Sequence, residues 1–266
     1  MADNIFGLTD TGRVRDNNED TFIAQPISSN TFLLACVIDG VGGYNGGEVA
    51  AAIAREQILY QFGTKPADIK TVMLEAFKQA NENIFLERQR IKEMDSMACV
   101  ATLALVDIEN NQFHYAHIGD TRLYLLRDHS LVKITKDHSF VGFLEDSGRL
   151  TESAAMSHPK RNEINKALGF ASPINTQDDT IETGQSPFLP GDMLLLCSDG
   201  LTDMVDKDTI TTIISAPNES IHKKAANLIE AANHNGGRDN VTVVLVQNTK
   251  TPITQDVTRP QAVLKK

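Results

Sequence analysis

The sequence has few cysteines, no excess of basic residues and no long apolar run. Only three of the 266 residues are cysteines, and Cys36, Cys99 and Cys197 all lie in apolar stretches. This odd, scattered set is typical of buried thiols in a reducing compartment and argues against a disulfide framework. The longest apolar run, around residues 32–38, has the length of a strand and is too short to span a membrane.

The charge balance is acidic, with 35 Asp and Glu against 25 Lys and Arg, a formal net charge of −10 and a pI near 5.1. Nucleic acids and anionic membranes bind basic patches, so we expect neither as a main partner. The first residues lack a basic segment followed by an apolar stretch, which predicts no signal peptide. We therefore expect a cytoplasmic protein, and a monomer.

Hydrophobic periodicity predicts one antiparallel α+β domain. Strands are expected at residues 5–9, 21–25, 31–38, 98–107, 112–118, 122–127, 193–197 and 241–246. One pair of helices is expected from residue 48 and after Asp68, and a second pair at about 206–215 and after Asn218. Regular βαβ alternation is missing, so each helix pair should cover a face of an antiparallel sheet. We place the domain at residues 1–248, followed by a flexible polar tail at 249–266.

Acidic residues recur at the predicted strand ends. Four aspartates follow a strand or sit beside a glycine, and a Glu-Asp pair precedes the second strand: Asp39, Asp120, Asp199, Asp239 and Glu19-Asp20. Carboxylates that converge in water-poor space repel one another and are stable as anions only with cations between them. Mg²⁺ and Mn²⁺ prefer such all-oxygen ligands. Taken singly, each Asp-Gly segment is more often an ordinary turn than a metal site.

The ordered set of motifs resembles the PPM-type, or 2C-class, metal-dependent protein phosphatases, particularly their compact bacterial members. The matching segments are Arg15-Asp-Asn-Asn-Glu-Asp20, Asp39-Gly-Val-Gly-Gly43, Gly119-Asp-Thr-Arg122, Thr135-Lys-Asp-His-Ser139, Cys197-Ser-Asp-Gly-Leu201 and Gly237-Arg-Asp-Asn-Val241. They span about residues 7–246. The resemblance implies two packed antiparallel sheets flanked by pairs of helices, an α-β-β-α sandwich. It also implies a serine/threonine phosphatase in which a metal-activated water attacks phosphorus directly.

The same resemblance implies a role for each acidic residue. Asp39 would bridge two Mg²⁺ or Mn²⁺ ions, and the carbonyl of Gly40 would bind one of them. The remaining ligands of this core pair would be Asp199 and Asp239 on the first ion, and Glu19 and Asp20 on the second, partly through water. Asp120, sharing Asp199, would hold a third, weaker ion.

Two further residues take roles from the resemblance. Arg15 would grip the substrate phosphate, for which a planar bidentate donor is well suited. Asn240 would orient Asp239 or a bound water. The implied partners are phosphorylated proteins and a cognate Ser/Thr kinase whose signalling the enzyme reverses.

The sequence departs from the family pattern at Val41, where many members carry a histidine proposed as the general acid. Valine cannot donate a proton, and a water held near Asp120 is our replacement candidate. Residues 140–162 correspond to the mobile flap of the family. Residues 158–161, His-Pro-Lys-Arg, either recruit acidic phosphopeptides or belong to an ordinary solvated loop.

Other functions weighed are a pseudophosphatase that only binds phosphoproteins, and a phosphatase of the same fold that acts on a small metabolite. Missing metal carboxylates would favour the first, and none is missing. His114 and His117 point to opposite faces of their strand, which favours structural roles over a zinc pair. The glycine-rich residues 42–47 lack the Lys-Ser/Thr of a nucleotide loop.

Overall fold

The computed structural model describes residues 4–28, 31–41, 46–63, 68–174 and 180–250. Within these residues the strands form two antiparallel sheets of five strands each. The first sheet has the order β1 (Ile5–Asp10), β10 (Val241–Gln247), β9 (Met193–Cys197), β6 (Arg122–Arg127) and β7 (Ser130–Lys133). The second has the order β2 (Asp20–Ile27), β3 (Phe32–Val41), β4 (Ala98–Asp107), β5 (Gln112–Ile118) and β8 (Glu182–Pro187).

A pair of helices covers the outer face of each sheet. Helices α1 (Gly47–Gln61) and α2 (Ile69–Arg90) pack on the second sheet, and a 3₁₀ turn (Lys92–Met94) follows them. Three short helices come next in the chain: α3 (Phe140–Asp146), α4 (Glu152–Met156) and α5 (Asp199–Thr202). Helices α6 (Lys207–Ser215) and α7 (Ile221–His234) pack on the first sheet. No helix in the described ranges combines the length and apolarity that a membrane crossing requires.

Strand β3 shows how the sequence produces the layers. Its side chains alternate between two apolar surroundings, because successive residues of a strand face opposite sides of the sheet. Leu34, Cys36 and Ile38 face α1 and α2, whereas residues 33, 35 and 37 face the other sheet. A strand buried on both faces reads as the continuous apolar run seen in the sequence. The predicted α-β-β-α sandwich is confirmed.

Polar residues define where several helices begin. Asp68, Ser139, Thr151, Asp206 and Ser220 each accept a hydrogen bond from the backbone N–H three residues later. This contact satisfies a donor that has no partner within the helix. The predicted N-cap at Asp68 is confirmed, and the last helix begins at Ile221 after Ser220 rather than directly after Asn218.

The periodicity did not indicate β7, β8 or α5. Strand β8 has the sequence Glu-Thr-Gly-Gln-Ser-Pro and lies at a sheet edge, paired only with β5. Such a segment carries no apolar alternation, and its conformation is set by pairing with its neighbour. Of the predicted tail, residues 251–266 lie outside the described part of the chain, as do residues 42–45 of the glycine-rich segment.

Candidate metal centre

The hairpin of β2 and β3 brings the first acidic residues together. Asp20 lies directly opposite Asp39 in the antiparallel register, and the backbone N–H of Gly40 donates to the carbonyl oxygen of Glu19 at 3.1 Å. Asp39 is the last acidic position of a strand whose preceding residues are buried. The second sheet therefore presents three carboxylates at one end of a single hairpin.

The first sheet supplies the others. Asp199 is the first residue of α5, directly beyond β9, and Asp239 comes just before β10, the neighbour of β9. Asp120 lies in the connection from β5 to β6, where the chain passes from the second sheet to the first. The ends of both sheets thus converge on one place.

A cavity of about 200 Å³ opens at this convergence. Its lining residues are Arg15, Glu19, Asp39, Gly40, Val41, Asp120, Asn162, Ile164, Asp199, Asp239 and Asn240. All of the residues singled out from the sequence line it, with the exception of Asp20. Asn162 and Ile164 were missed, because neither belongs to a recognisable motif.

Asp20 lies behind the cavity rather than in its wall. Its Oδ2 accepts a hydrogen bond from the hydroxyl of Ser198 at 2.8 Å, and Ser198 Oγ in turn accepts from the backbone N–H of Thr242 at 2.9 Å. Burial raises the pKa of Asp20 to about 6, against the opposing hydrogen bonds from Thr242 and Ser198. Asp20 is therefore placed to act on the cavity through an intervening group, and Ser198 joins it to the first sheet.

The carboxylates disfavour one another's ionised forms. Burial, and then the charges of Asp20, Asp199 and other neighbours, raise the pKa of Asp39 well above its ordinary value. Burial and the charge of Asp120 do the same to Asp199. Asp120 is only 8% exposed, and burial with repulsion from Asp137 raises its pKa to about 7 although Arg122 opposes the shift.

This donor set fits divalent cations. The residues lining the cavity include five carboxylates, and Arg15 is their one cationic side chain. Like charges held together by the fold need positive charge from outside the chain to be stable as anions. Carboxylate and carbonyl oxygens are the ligands that Mg²⁺ and Mn²⁺ prefer. The arrangement, built from both sheets, is chemically suited to bind such ions.

Arg15 stands at the mouth of the cavity. Its Nη2 donates to Asp239 Oδ2 at 2.7 Å, and its side chain is 48% exposed. Burial alone would lower the pKa of Arg15, but the hydrogen bond and the charge of Asp239 raise it overall. One edge of the guanidinium is therefore fixed by a carboxylate, and its remaining donors are open to an anion outside the cavity.

Asn240 organises the loop that carries Glu19. Its side-chain oxygen accepts from the backbone N–H of Glu19 at 2.9 Å, and its amide nitrogen donates to the carbonyl oxygens of Thr11 and Asn17. Asp239 Oδ1 accepts from the backbone N–H of Asn240, also at 2.9 Å. The Asn240 side chain thus ties the 11–19 loop to β10, and Asp239 is oriented by the backbone.

The glycines after two of the aspartates allow the chain to pass close by. A Cβ on Gly200 would lie 1.9 Å from the carbonyl oxygen of Asn240, and one on Gly40 would lie 2.2 Å from the carbonyl oxygen of Gly47. Contacts this short exclude any side chain at either position. The Asp-Gly pairs are therefore close-packing points as well as the ends of strands.

Ion pairs hold the segment predicted as a flap, residues 140–162, against the body of the protein. Arg122 bonds Glu145 at 2.7 Å, and Lys133 bonds Asp146 at 2.9 Å. Near the end of the segment, Arg161 pairs with Asp203. Because Arg161 has this internal partner, the recruitment of acidic peptides by residues 158–161 gains no support from it.

Residues 12–236 match the family described as Protein phosphatase 2C. The serine/threonine phosphatase stp of Listeria monocytogenes is 34% identical over 244 residues, covering 90% of this chain and 93% of that protein. The serine/threonine protein phosphatase PstP of Mycobacterium tuberculosis is 37% identical over 238 residues, covering 89% of this chain and 43% of that protein.

Solved structures of similar fold support the same family. The crystal structure of M. tuberculosis PstP/Ppp superimposes with a TM-score of 0.80 at 34% identity, covering 91% of this chain and 97% of that one. A second structure, the PstP catalytic domain in complex with two manganese ions, gives 0.78 at 33% identity, covering 91% and 96%. The fold and the acidic cavity define a PPM-type phosphatase. The chain belongs to the protein phosphatase 2C family.

Proposed function

We propose that this chain is a metal-dependent phosphatase that removes phosphate from serine and threonine side chains of proteins. The observation that carries the proposal is the convergence of five partly or fully buried carboxylates at one cavity of a protein phosphatase 2C fold, with Arg15 as the one cationic side chain in its lining. A cluster that needs divalent cations for its own stability is suited to a reaction that such cations promote.

The carboxylates divide between the proposed ions as follows. Asp39 would bridge the core pair, with the carbonyl of Gly40 beside it. The other core ligands would be Asp199 and Asp239 on one ion, and Glu19 and, through water, Asp20 on the other. Asp120 would hold a third, weaker ion together with Asp199. When bound, Mg²⁺ or Mn²⁺ would supply an activated water for direct attack on phosphorus and offset the charge of the phosphoryl oxygens.

The chain's own residues bind and orient the substrate. The open donors of Arg15 would hold the phosphate at the mouth, and its bond to Asp239 sets the direction of the guanidinium. Asn240 keeps the Glu19 loop in register with β10. Val41 lines the cavity with an apolar side chain, so proton donation to the leaving alkoxide must come from elsewhere. A water near Asp120 is our candidate.

The proposed partners follow from this chemistry. The substrates are phosphorylated proteins, and a Ser/Thr kinase supplies them. The proposed setting is the cytoplasm, and the proposed active unit is a single chain whose catalytic domain spans residues 1–248. The chain's net charge of −10 makes the local cation Arg15 important for attracting a phosphorylated segment.

A pseudophosphatase is the less favoured alternative, because every proposed metal carboxylate lies in or directly behind the cavity. A small-metabolite phosphatase of the same fold differs in substrate alone, so the test compares substrates. The decisive measurement is phosphate release from a phosphothreonine peptide and from a small phosphate ester, with Mn²⁺, with Mg²⁺ and with chelator.

Asp239→Asn is the test variant and Asp208→Asn, an exposed aspartate on α6, is its matched control. We expect metal-dependent release from the peptide that collapses in Asp239→Asn and persists in Asp208→Asn. Absence of release by folded, metal-loaded wild type would overturn the proposal in favour of a binding role. Release from the small ester alone would replace the substrate class.

A further inference from the structure

A continuous segment, Thr135–His138, holds the connection from β5 to β6 that carries Asp120. The hydroxyl of Thr135 accepts from the backbone N–H of Leu123 at 3.0 Å. The carbonyl oxygen of Lys136 lies 3.0 Å from Nε2 of His117, and Asp137 bonds Arg122. Each of these contacts falls on residues 117–123. We name residues 135–138 the splint.

His138 completes the splint at the turn itself. Its Nδ1 lies 3.0 Å from the backbone nitrogen of Gly119, and its own backbone N–H donates to the carbonyl oxygen of Gly119 at 2.6 Å. A backbone N–H can only donate, so Nδ1 of His138 is the acceptor and the neutral ring carries its proton on Nε2. Both polar groups of Gly119, the residue before Asp120, are therefore fixed by His138.

A second histidine fixes the other side of the turn. His117 must donate from Nε2 to the carbonyl oxygen of Lys136, so its Nδ1 accepts from the hydroxyl of Thr102 at 2.8 Å. The oxygen of Thr102 is then free to accept from the hydroxyl of Thr121 at 2.7 Å. Thr102, His117 and Thr121 are fully buried. Burial lowers the pKa of His117 to about 4, which keeps this chain of hydrogen bonds in its neutral form at pH 7.

The two histidines and Glu182 could be taken for a metal site, since one ligand atom of each lies within 4.8 Å of the others. Their hydrogen bonds argue against it. Both nitrogens of His117 have partners, and the oxygens of Glu182 accept from the hydroxyl of Tyr115 and the backbone N–H of Lys136. The cluster is a hydrogen-bonded network that fixes the turn.

The turn needs stabilising contacts because the position of the Asp120 carboxylate costs free energy. Asp120 is only 8% exposed, and an ionised group is costly to bury. Gly119 cannot be made rigid by a side chain, since a Cβ there would lie 2.1 Å from Val100, and its φ of +107° belongs to glycine. Hydrogen bonds from outside the turn must therefore fix it, and they flank Asp120 at Gly119, Thr121 and Arg122.

We propose that the splint, through His138 and the His117–Thr102–Thr121 chain, is the device that positions Asp120 toward the cavity, and that His138 is a positioning residue for the weak metal site. The inference rests on the proposed third ion at Asp120. It gives a role to the Thr-Lys-Asp-His-Ser segment, none of whose side chains lines the acidic cavity. Ser139, the next residue, accepts from the backbone N–H of Gly142 and starts α3, so the predicted flap begins where the splint ends.

The test compares His138→Leu, which removes the acceptor, with His138→Asn, which can place an acceptor near the position of Nδ1. Asp120→Asn is the reference, and His129→Asn, at the exposed β6–β7 turn, is the matched control. Titration calorimetry and the electron paramagnetic resonance of free Mn²⁺ measure affinity and the number of ions bound. Far-UV circular dichroism verifies folding.

We expect His138→Leu to weaken the weakest Mn²⁺ site about 10- to 100-fold, as loss of a residue that orients a ligand does, while the two tighter sites are unchanged. His138→Asn should restore most of that affinity. Adding His138→Leu to Asp120→Asn should cause no further loss, because both act at one site. His129→Asn should bind as wild type does.

Two results would overturn the inference. In the first, the weakest Mn²⁺ site is unchanged in His138→Leu but lost in Asp120→Asn. Asp120 would then bind the ion without being positioned by the splint. Unchanged binding in Asp120→Asn would remove the third ion and the splint's role with it, while metal-dependent phosphate release by wild type would stand. If His138→Leu does not fold, the same test is made at Thr102, whose hydroxyl joins His117 to Thr121. Thr102→Val removes that hydroxyl and should weaken the weakest site, whereas Thr102→Ser keeps it and should not.

Discussion

Two groups of buried charge lie side by side in this protein, and the chain treats them in opposite ways. In the first, five carboxylates line a cavity with Arg15 as their cationic neighbour. In the second, Arg122 bonds Asp137 through Nε and Nη2 and bonds Glu145 through Nη2. Lys133 bonds Asp137 at 2.7 Å and Asp146 at 2.9 Å. We call the second group balanced because each of its acids has a cationic partner, although three acids share two cations. In the first group only Asp239 has such a partner among the described residues, and we call that group unbalanced.

The pKa values of two neighbouring aspartates show the difference. Burial acts on Asp137 as it does on Asp120, yet the pKa of Asp137 is lowered because Arg122 and Lys133 outweigh the burial. The pKa of Asp120 is raised to about 7. Burial therefore does not decide which group is structural. What distinguishes the two groups is whether cationic side chains pair with the carboxylates. A group with few such partners is where we expect metal ions from solution to bind.

The largest effect should come from Asp39→Asn, at the centre of the unbalanced group. We expect phosphate release to fall by a factor of 10³ or more, because the bridging position contacts both proposed core ions. The metal-free variant should nevertheless unfold at a higher temperature than metal-free wild type, because one repelling charge is gone. Thermal unfolding with chelator measures this. A metal-free variant less stable than wild type would mean that the carboxylates do not repel one another.

Breaking the balanced group should have the next largest effect, and on stability. Arg122→Met leaves Asp137 buried without its main partner, which costs about 3–5 kcal/mol for a buried pair. Chemical denaturation measures the loss. Arg90→Met removes an exposed partner of Glu87 and is the control, with no measurable change expected. Equal losses in the two variants would contradict the distinction drawn between buried and exposed pairs.

A smaller effect is expected where the unbalanced group meets the substrate. Arg15→Lys keeps the positive charge but loses the planar guanidinium that both bonds Asp239 and faces outward. We expect kcat/KM for a phosphothreonine peptide to fall by about tenfold. The stability of the metal-loaded protein should stay near that of wild type. Steady-state kinetics measure this, with Arg13→Lys as a neighbouring control, and an equal loss in both variants would show that the guanidinium of Arg15 has no specific role.

The effect that is smallest at neutral pH concerns His117, a buried group kept neutral. The pKa of His117 is lowered in the folded state to about 4 from its ordinary value of 6.5, so the unfolded chain binds the proton first as the pH falls. The contribution of neutral His117 to the free energy of unfolding is fully present above pH 6.5. It decreases as the pH falls toward 4, by at most about 1.4 kcal/mol per pH unit. His117→Gln should therefore lose less unfolding free energy than wild type between pH 6.5 and pH 4, as measured by chemical denaturation. Equal acid sensitivity in wild type and variant would show that His117 is not the cause.

The sequence predicted the layers and the acidic centre because both depend on local patterns. Continuous apolar runs such as that of β3 indicate strands buried on both faces, and acidic residues directly after such strands share a sheet end. Residues 135–139 were recognised as a matching segment, but the contacts of the splint were not predicted. His138 and Thr102 are ordinary polar residues until β4, β5 and the 135–138 segment meet, and no spacing in the chain encodes that meeting. Strand β8 was missed for the same reason.

The close approach at Gly200 has a consequence for how this protein tolerates mutation. Any side chain there would drive the carbonyl of Asn240 away and, with it, the strand entrance that carries Asp239. The same holds at Gly40 for the hairpin that carries Glu19 and Asp39. A genetic screen for inactive alleles should therefore recover substitutions at these glycines alongside those at the aspartates. Gly200, which has no proposed metal contact of its own, would then look like a ligand from phenotype alone.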